Sequence, residues 1–271
     1  GQYLTDRECD EALSFISKNS HKPFFLNFAN YAVHTPIQAK TSLLEKYKKK
    51  IKSIDTMQKN AAYATMVESV DQAVGRIVKL LKDKKIINRT AIFFTSDNGG
   101  LLGVTNNYPL RSGKGNPYEG GVRIPLIIHW PDVVSKGKVL EVPVASIDFF
   151  PTICSASSVD YTDQNPVDGL DLMPLLVGKR KLERESLFWH FPHYRGKIVP
   201  YSIIRNGKWK LIKRYDGKPF ELFDLNDDLS ETNDLSGKMP NKVSELDGKL
   251  TRWLKETKAK VPRLNPNYSS K

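Results

Sequence analysis

Asp97 and Asn98 close an apolar run, Ala91-Ile92-Phe93-Phe94-Thr95-Ser96, and Gly99 and Gly100 follow at once. Fourteen residues past Gly100 stands Lys114, inside the glycine-rich stretch 110–125. Carboxylate and amide oxygens at the end of a buried strand suit a hard divalent cation, Ca²⁺ or Mg²⁺. A lysine between Gly113 and Gly115 is a compact point charge for an oxyanion. His34, in Asn30-Tyr31-Ala32-Val33-His34-Thr35-Pro36, can donate to such an anion or protonate a leaving oxygen. Together these residue types describe transfer or hydrolysis of a sulfate or phosphate ester, with charge stabilised by metal and lysine. Two oxygen ligands fall short of the roughly six to eight that Ca²⁺ takes, so others must come from elsewhere. Each motif alone also has a plainer explanation: Asp-Asn-Gly-Gly as a turn, His34 as a hydrogen-bonded turn residue, and 113–121 as a flexible loop. Their joint occurrence on one rim is what favours a site.

The elements that must position these residues are read from hydropathy. Helical spacing predicts a helix over 6–17, and a longer one over 58–84 with Tyr63, Met66, Val67, Val70, Val74, Ile77 and Leu81 as its apolar stripe. Short apolar runs predict strands at 23–29, 91–95 and 125–130. Fully apolar strands alternating with a helix imply a sheet covered on both faces, hence an α/β fold with part of a large mixed sheet flanked by helices. If the strands are parallel, His34, Asp97 and Asn98 share the rim where open α/β sheets bind ligands. A short helix is expected near Ser146, and a loop over 159–174. Beyond about Glu183 the pattern changes to a smaller C-terminal antiparallel sheet with one helix. Its signs are a hairpin at 202–212 turning on Asn206-Gly207, a strand at 220–224, and an amphipathic helix at 241–258. The expected domains are 1–180 and 184–271.

The 271 residues are 39% hydrophobic and 27% charged, a composition that supports a globular core. No apolar stretch approaches the roughly 18 residues of a membrane span, and no basic-then-apolar leader opens the sequence. The net charge of +12 comes from scattered lysines without a recognised nucleic-acid module, so a solvated surface or steering of anionic substrates is favoured over nucleic-acid binding. Cys9 and Cys154 form neither a C-x-x-C pair nor a zinc pattern. Cys154 reads as a helix-packing cysteine.

Three segments carry a resemblance. Phe93-Phe94-Thr95-Ser96-Asp97-Asn98-Gly99, the lysine segment Gly113-Lys114-Gly115 through Glu119-Gly120-Gly121-Val122-Arg123-Ile124-Pro125, and Tyr31-Ala32-Val33-His34-Thr35-Pro36 together resemble a type I sulfatase of the alkaline phosphatase superfamily, over nearly the whole chain. The resemblance implies that Asp97 and Asn98 bind Ca²⁺ and that His34 and Lys114 contact the sulfate. It also implies that Arg123 lies on the substrate side. Leu187-Phe188-Trp189-His190-Phe191-Pro192-His193 is similar to a segment of bacterial members acting on sulfated glycans, which implies His190 and His193 as pocket residues; packing at a domain junction is the alternative. A periplasmic or secreted location follows from the resemblance alone.

The departure from the family pattern is equally specific. Family members carry an Asp-Asp pair near the N-terminus and then the C/S-x-P/A-x-R signature, whose first residue is matured to formylglycine; neither piece is found at the start of this sequence, and the signature is found nowhere in it. Cys154-Ser155-Ala156-Ser157-Ser158 has Ser158 where the signature requires Arg. The expectation is therefore a C-terminal portion of a longer sulfuric ester hydrolase, inactive alone, whose partners are its own N-terminal half and a sulfated small molecule or glycan. The alternatives are a phosphonate or phosphate ester hydrolase of the same superfamily and a non-catalytic module that binds sulfated glycan.

Overall fold

A computed structural model describes residues 1–161 and 167–263. The elements in chain order are α1 (Leu4–Asn19), α2 (Thr41–Ser53), α3 (Ala61–Asp83), β1 (Ile92–Thr95), α4 (Glu119–Val122), β2 (Leu126–His129), α5 (Phe149–Ala156, entered through a 3-10 turn at Ser146–Asp148), α6 (Met173–Leu176), β3 (Ser186–Phe191), β4 (Tyr201–Asn206), β5 (Trp209–Arg214), β6 (Glu221–Asp224) and α7 (Pro240–Glu256). They fall into two compact units. The first comprises Gly1–Ser96, Gly103–Asn106 and Pro125–Leu140; the second comprises Asp97–Leu102, Asn107–Ile124 and Glu141–Lys271. The change of pattern near residue 183 thus lies inside the second unit. The architecture is mixed α/β with antiparallel sheets.

In the first unit α1 packs against α3. Cys9, Ala12 and Ile16, at steps of three and four, are buried on one face of α1. The buried residues of α3 are Thr65, Met66, Ser69, Ala73 and Leu81. The expected stripe of large residues is therefore offset, and Val67 is exposed. Small side chains let the two helix backbones approach closely, and the Cys9 thiol reaches the Ala73 carbonyl at 3.6 Å. Asn60 caps α3 by accepting from the Tyr63 N–H at 3.0 Å. Ile16, Leu81 and Ile86 form the core, with Phe24, Leu26 and Ile92 packed on it.

Two strand expectations are corrected here. Residues 23–29 form no ladder, although their exposure alternates residue by residue as in an extended strand. β1 and β2 pair antiparallel, Ile92 opposite His129 and Thr95 opposite Leu126, not parallel. The parallel ladder on which a shared rim for His34, Asp97 and Asn98 rested is not formed. Nor are the strands covered on both faces within this unit, since Phe94 and Ile127 are exposed. α2 was missed because its lysine run reads as solvated surface, and none of its residues is buried.

The second unit is built on the four-stranded antiparallel meander β3-β4-β5-β6. Period-two alternation divides its residues cleanly. Ile204, Leu211 and Leu222 face Leu246, Leu250 and Leu254 of α7. Ile203, Ile212 and Phe223 face the other way and are covered by Tyr118 and Val122. The lysine-bearing segment is thus one wall of the core of this sheet. The hairpin turns on Gly207-Lys208 rather than Asn206-Gly207, because Asn206 is still paired with Trp209. Gly207 alone takes positive φ, 57°, as a type II′ turn requires at its first central position. The Asn206 amide is used elsewhere, donating to the Glu185 carbonyl and the Ser186 hydroxyl.

Asp148 fixes the approach to α5. Its carboxylate is buried and accepts from the Ala145 and Leu170 N–H groups at 2.8 Å each, and from both terminal nitrogens of Arg184. Burial works against the charge, but Arg184 and the two N–H groups prevail and hold Asp148 below its ordinary value. Its stabilising contribution is complete above the ordinary carboxylate value of 3.8 and is lost as pH falls through the lowered folded value. Asp148→Asn is expected to cost about 3 kcal/mol at neutral pH, because the partly buried Arg184 loses its anion. In urea denaturation the gap between wild type and variant should close below the ordinary carboxylate range; a gap independent of pH would contradict the assignment.

Candidate functional site

The segment after β1 and the lysine segment are threaded through each other by backbone contacts. The Gly99 N–H donates to the Gly121 carbonyl at 3.1 Å, and the Lys114 N–H to the Gly100 carbonyl at 3.0 Å. The Asn107 side chain closes the knot: its Oδ1 accepts from the Gly100 N–H, and its Nδ2 donates to the Gly100 and Ser112 carbonyls. The glycines have a steric cause. A Cβ on Gly99 would fall onto the Gly120 carbonyl oxygen, one on Gly120 onto the Ser112 and Arg111 carbonyls, and one on Gly121 onto the Asn116 carbonyl. The glycine-rich stretch is therefore close-packed backbone rather than a flexible loop, and it brings Lys114 to the Asp97-Asn98 segment.

Asp97 is exposed and Asn98 half-buried. The Asn98 Nδ2 donates to the Gly99 carbonyl at 3.1 Å. No ion pair or hydrogen bond engages the Asp97 carboxylate or the Lys114 ammonium among the described residues. No cluster of three or more His, Cys, Asp or Glu suited to a metal ion occurs among the described residues. The donor types at 97 and 98 fit a hard cation, but two oxygens are a partial set.

His34 lies in the first unit and is exposed. Its Nδ1 is 2.8 Å from the Thr35 carbonyl oxygen, so that nitrogen carries the proton and Nε2 is the nitrogen left available. Tyr31 packs edge-on against the ring.

The remaining residues named from the sequence lie in the second unit and differ in how committed they are. His190 has both ring nitrogens engaged, Nδ1 with the Ser202 hydroxyl at 2.8 Å and Nε2 with the Lys260 carbonyl at 3.1 Å. His193 is exposed in the β3–β4 connection, its ring edge against Phe191. Arg123 caps α4, with its guanidinium 3.8 Å from Glu119.

That glutamate belongs to a buried charge cluster that sequence reasoning missed. Lys210 of β5, fully buried, places its ammonium 2.9 Å from Glu119 Oε1 and 2.8 Å from Glu231 Oε1. Glu231 Oε2 accepts from the Glu119 N–H at 2.6 Å. Arg205 adds a weaker contact to Glu119 at 3.9 Å. Arg111 stacks on Tyr118, 3.8 Å from the ring centroid, and donates to the Glu231 carbonyl. The cluster ties the start of α4 to the sheet, and so holds the segment carrying Lys114. The available signal was strand alternation, which puts Lys210 on the same face as Ile212, opposite Leu211.

The family model described as Sulfatase matches residues 1–159, and that described as N-sulphoglucosamine sulphohydrolase, C-terminal, matches residues 113–260. A protein named Sulfatase from Formosa agariphila is 36% identical over 93% of this chain. The chain spans 50% of that relative's length. The solved structure of Ps i-CgsB in complex with k-i-k-neocarrahexaose superposes with a TM-score of 0.83 at 32% identity, covering 93% of this chain and 55% of the other. The phosphonate monoester hydrolase of Agrobacterium radiobacter superposes with a TM-score of 0.59 at 26% identity, covering 72% and 41%.

Burial holds Glu231 above the ordinary carboxylate range in spite of Lys210, so its ionisation opposes stability as pH rises from 4.5 through the raised value. Lys210→Met removes the compensating cation. It is expected to destabilise the fold by about 3–5 kcal/mol at neutral pH and to steepen that pH-dependent loss. Denaturation curves at several pH values measure both, and a substitution neutral at every pH would show that the two carboxylates do not depend on the Lys210 ammonium.

Proposed function

The chain belongs to the sulfatase family, and on that footing we propose that it supplies the lysine and part of the metal-binding side of a sulfuric ester hydrolase acting on sulfated carbohydrate. The observation that carries this is the uncompensated side-chain ammonium of Lys114, whose backbone N–H is tied to the Gly100 carbonyl in the segment that follows Asp97-Asn98. An ammonium held without a carboxylate partner is available to a tetrahedral anion and is strongest where charge develops on the leaving group.

Asp97 and Asn98 would hold Ca²⁺ or Mg²⁺ through a carboxylate and an amide oxygen, with the remaining donors coming from outside the described residues. When bound, such an ion would supply Lewis-acid polarisation of the sulfate oxygens. Lys114 neutralises a further oxygen of the same group. His34 is assigned by its chemistry to proton handling: with Nδ1–H spent on Thr35, Nε2 is the atom that would donate to, or accept from, an ester oxygen. No residue of this sequence fits the formylglycine signature, so no step is assigned to that group here. His193 and Arg123 are proposed for the substrate side. His190, with both ring nitrogens occupied, is proposed to shape the pocket wall by holding β3 against β4. Carbohydrate is proposed as the substrate class because the neighbour at 32% identity was solved with a neocarrahexaose.

The reading also places the protein in the periplasm or outside the cell. Among the described residues no helix is long and apolar enough to cross a membrane.

In the full-length protein that carries this chain, Lys114→Ala is expected to lower kcat/KM for an aryl sulfate by about 10²–10³, the scale of losing one charge-stabilising group. Prolonged chelation should lower activity, and Ca²⁺ or Mg²⁺ should restore it. The 271-residue chain alone should turn over no aryl sulfate. A higher kcat/KM for phosphonate than for sulfate esters would move the assignment to the phosphonate hydrolases, whose Agrobacterium member shares the fold. Metal-independent glycan binding without turnover by the full-length protein would replace it with a binding module.

A further inference from the structure

The connection between β3 and β4 lies against the lysine segment. Tyr201 donates its hydroxyl to the Gly115 carbonyl at 3.1 Å. Gly115 takes φ +87°, and the Nη1 of Arg195 lies 2.5 Å from the point a Cβ on Gly115 would occupy, with Ile198 Cδ1 at 3.1 Å. Arg195 and Ile198 exchange both backbone hydrogen bonds at 3.0 Å around a Gly196-Lys197 turn, so the arginine stands on a closed turn rather than on a slack loop.

Its electrostatic setting separates it from its neighbours. Arg184, Arg205 and Arg214 of the same unit are each set against a carboxylate. Arg195 is exposed and has no ion-pair partner among the described residues. Lys114, one residue before the glycine it covers, has none either. The glycine covered by one uncompensated cation, a planar fork able to grip an oxyanion bidentately, is therefore the chain neighbour of a residue carrying another, a point charge. Gly115 is the residue type that permits this, because any side chain there would displace the guanidinium.

Resting on the sulfatase reading above, we infer that Arg195 is a specificity-determining residue that selects sulfate esters carrying a second anionic group next to the one held by Lys114. A substrate with a single sulfate has no group for the guanidinium to hold. A disulfated one gains a charge-assisted contact at Arg195 in both the bound and the transition state, so the preference appears mainly in KM.

The test uses the full-length protein and two disaccharides identical except for a second sulfate. Arg195→Ala is expected to lower the ratio of kcat/KM for the disulfated over the monosulfated substrate by about tenfold, the scale of one charge-assisted hydrogen bond. The change should lie mainly in KM, and Arg195→Lys should restore part of it. Gly115→Ala should lower the ratio in the same direction by pushing the guanidinium aside. An unchanged ratio, whether both substrates lose activity together or neither does, overturns the inference and leaves Arg195 a packing residue. Should neither disaccharide be turned over, the sulfatase reading fails, and the affinities of native and Arg195→Ala protein for the two disaccharides decide the selectivity claim by the same ratio.

Discussion

Much of the second unit depends on one buried ammonium. Lys210 rises from the middle strand pair of the sheet and meets Glu119 and Glu231, and Glu231 in turn accepts the backbone N–H of Glu119. Replacing a buried ion cluster by apolar groups of equal volume is often neutral or stabilising, so net stability does not explain it. What it supplies is position. An apolar contact would tolerate the start of α4 sliding over the sheet; two carboxylates converging on one ammonium do not. The lysine segment is thereby fixed in register with β5.

From that fixed point the rest follows by contact. Tyr118, next to Glu119, enters the core of the sheet and is bracketed by Arg111 over its ring and by Arg214 and Glu221 at its hydroxyl. Upstream, glycine backbones nest without side chains and bring the residues after β1 alongside those around Lys114. Two cations without an ion-pair partner among the described residues meet at the same glycine, Lys114 as the residue before Gly115 and Arg195 as the side chain that covers it. In a unit where Arg184, Arg205 and Arg214 each face a carboxylate, these two charges stay open to solvent and to an arriving anion.

The sequence made some of this legible and hid the rest for identifiable reasons. Helices α1, α3 and α7 follow from apolar spacing, and the β4–β5 hairpin from its alternating residues around a glycine. Asp97, Asn98 and Lys114 stand out because chemistry-bearing residues beside glycines are conspicuous in one dimension. The antiparallel pairing of β1 with β2 was not readable, since a short apolar strand carries no direction. The offset on α3 escaped because Thr65, Ser69 and Ala73 bury well by being small, not by being hydrophobic. Glu119, Lys210 and Glu231 each look like surface charge in isolation, and only pairing across distant segments makes their burial tolerable. Arg195 was hidden in a run of polar residues whose meaning comes from the glycine it covers.

The second face of the four-stranded sheet is closed by Tyr118 and Val122, residues more than sixty positions upstream of β3. The sheet is therefore not a detachable cassette. Recombining it between relatives to change what they recognise, with a crossover after Pro125, would separate Ile203, Ile212 and Phe223 from the tyrosine that seals them and strand Lys210 among foreign neighbours. A workable chimera has to inherit the strands and the 111–122 segment from one parent, so Arg195 and Lys114 are inherited as a single block.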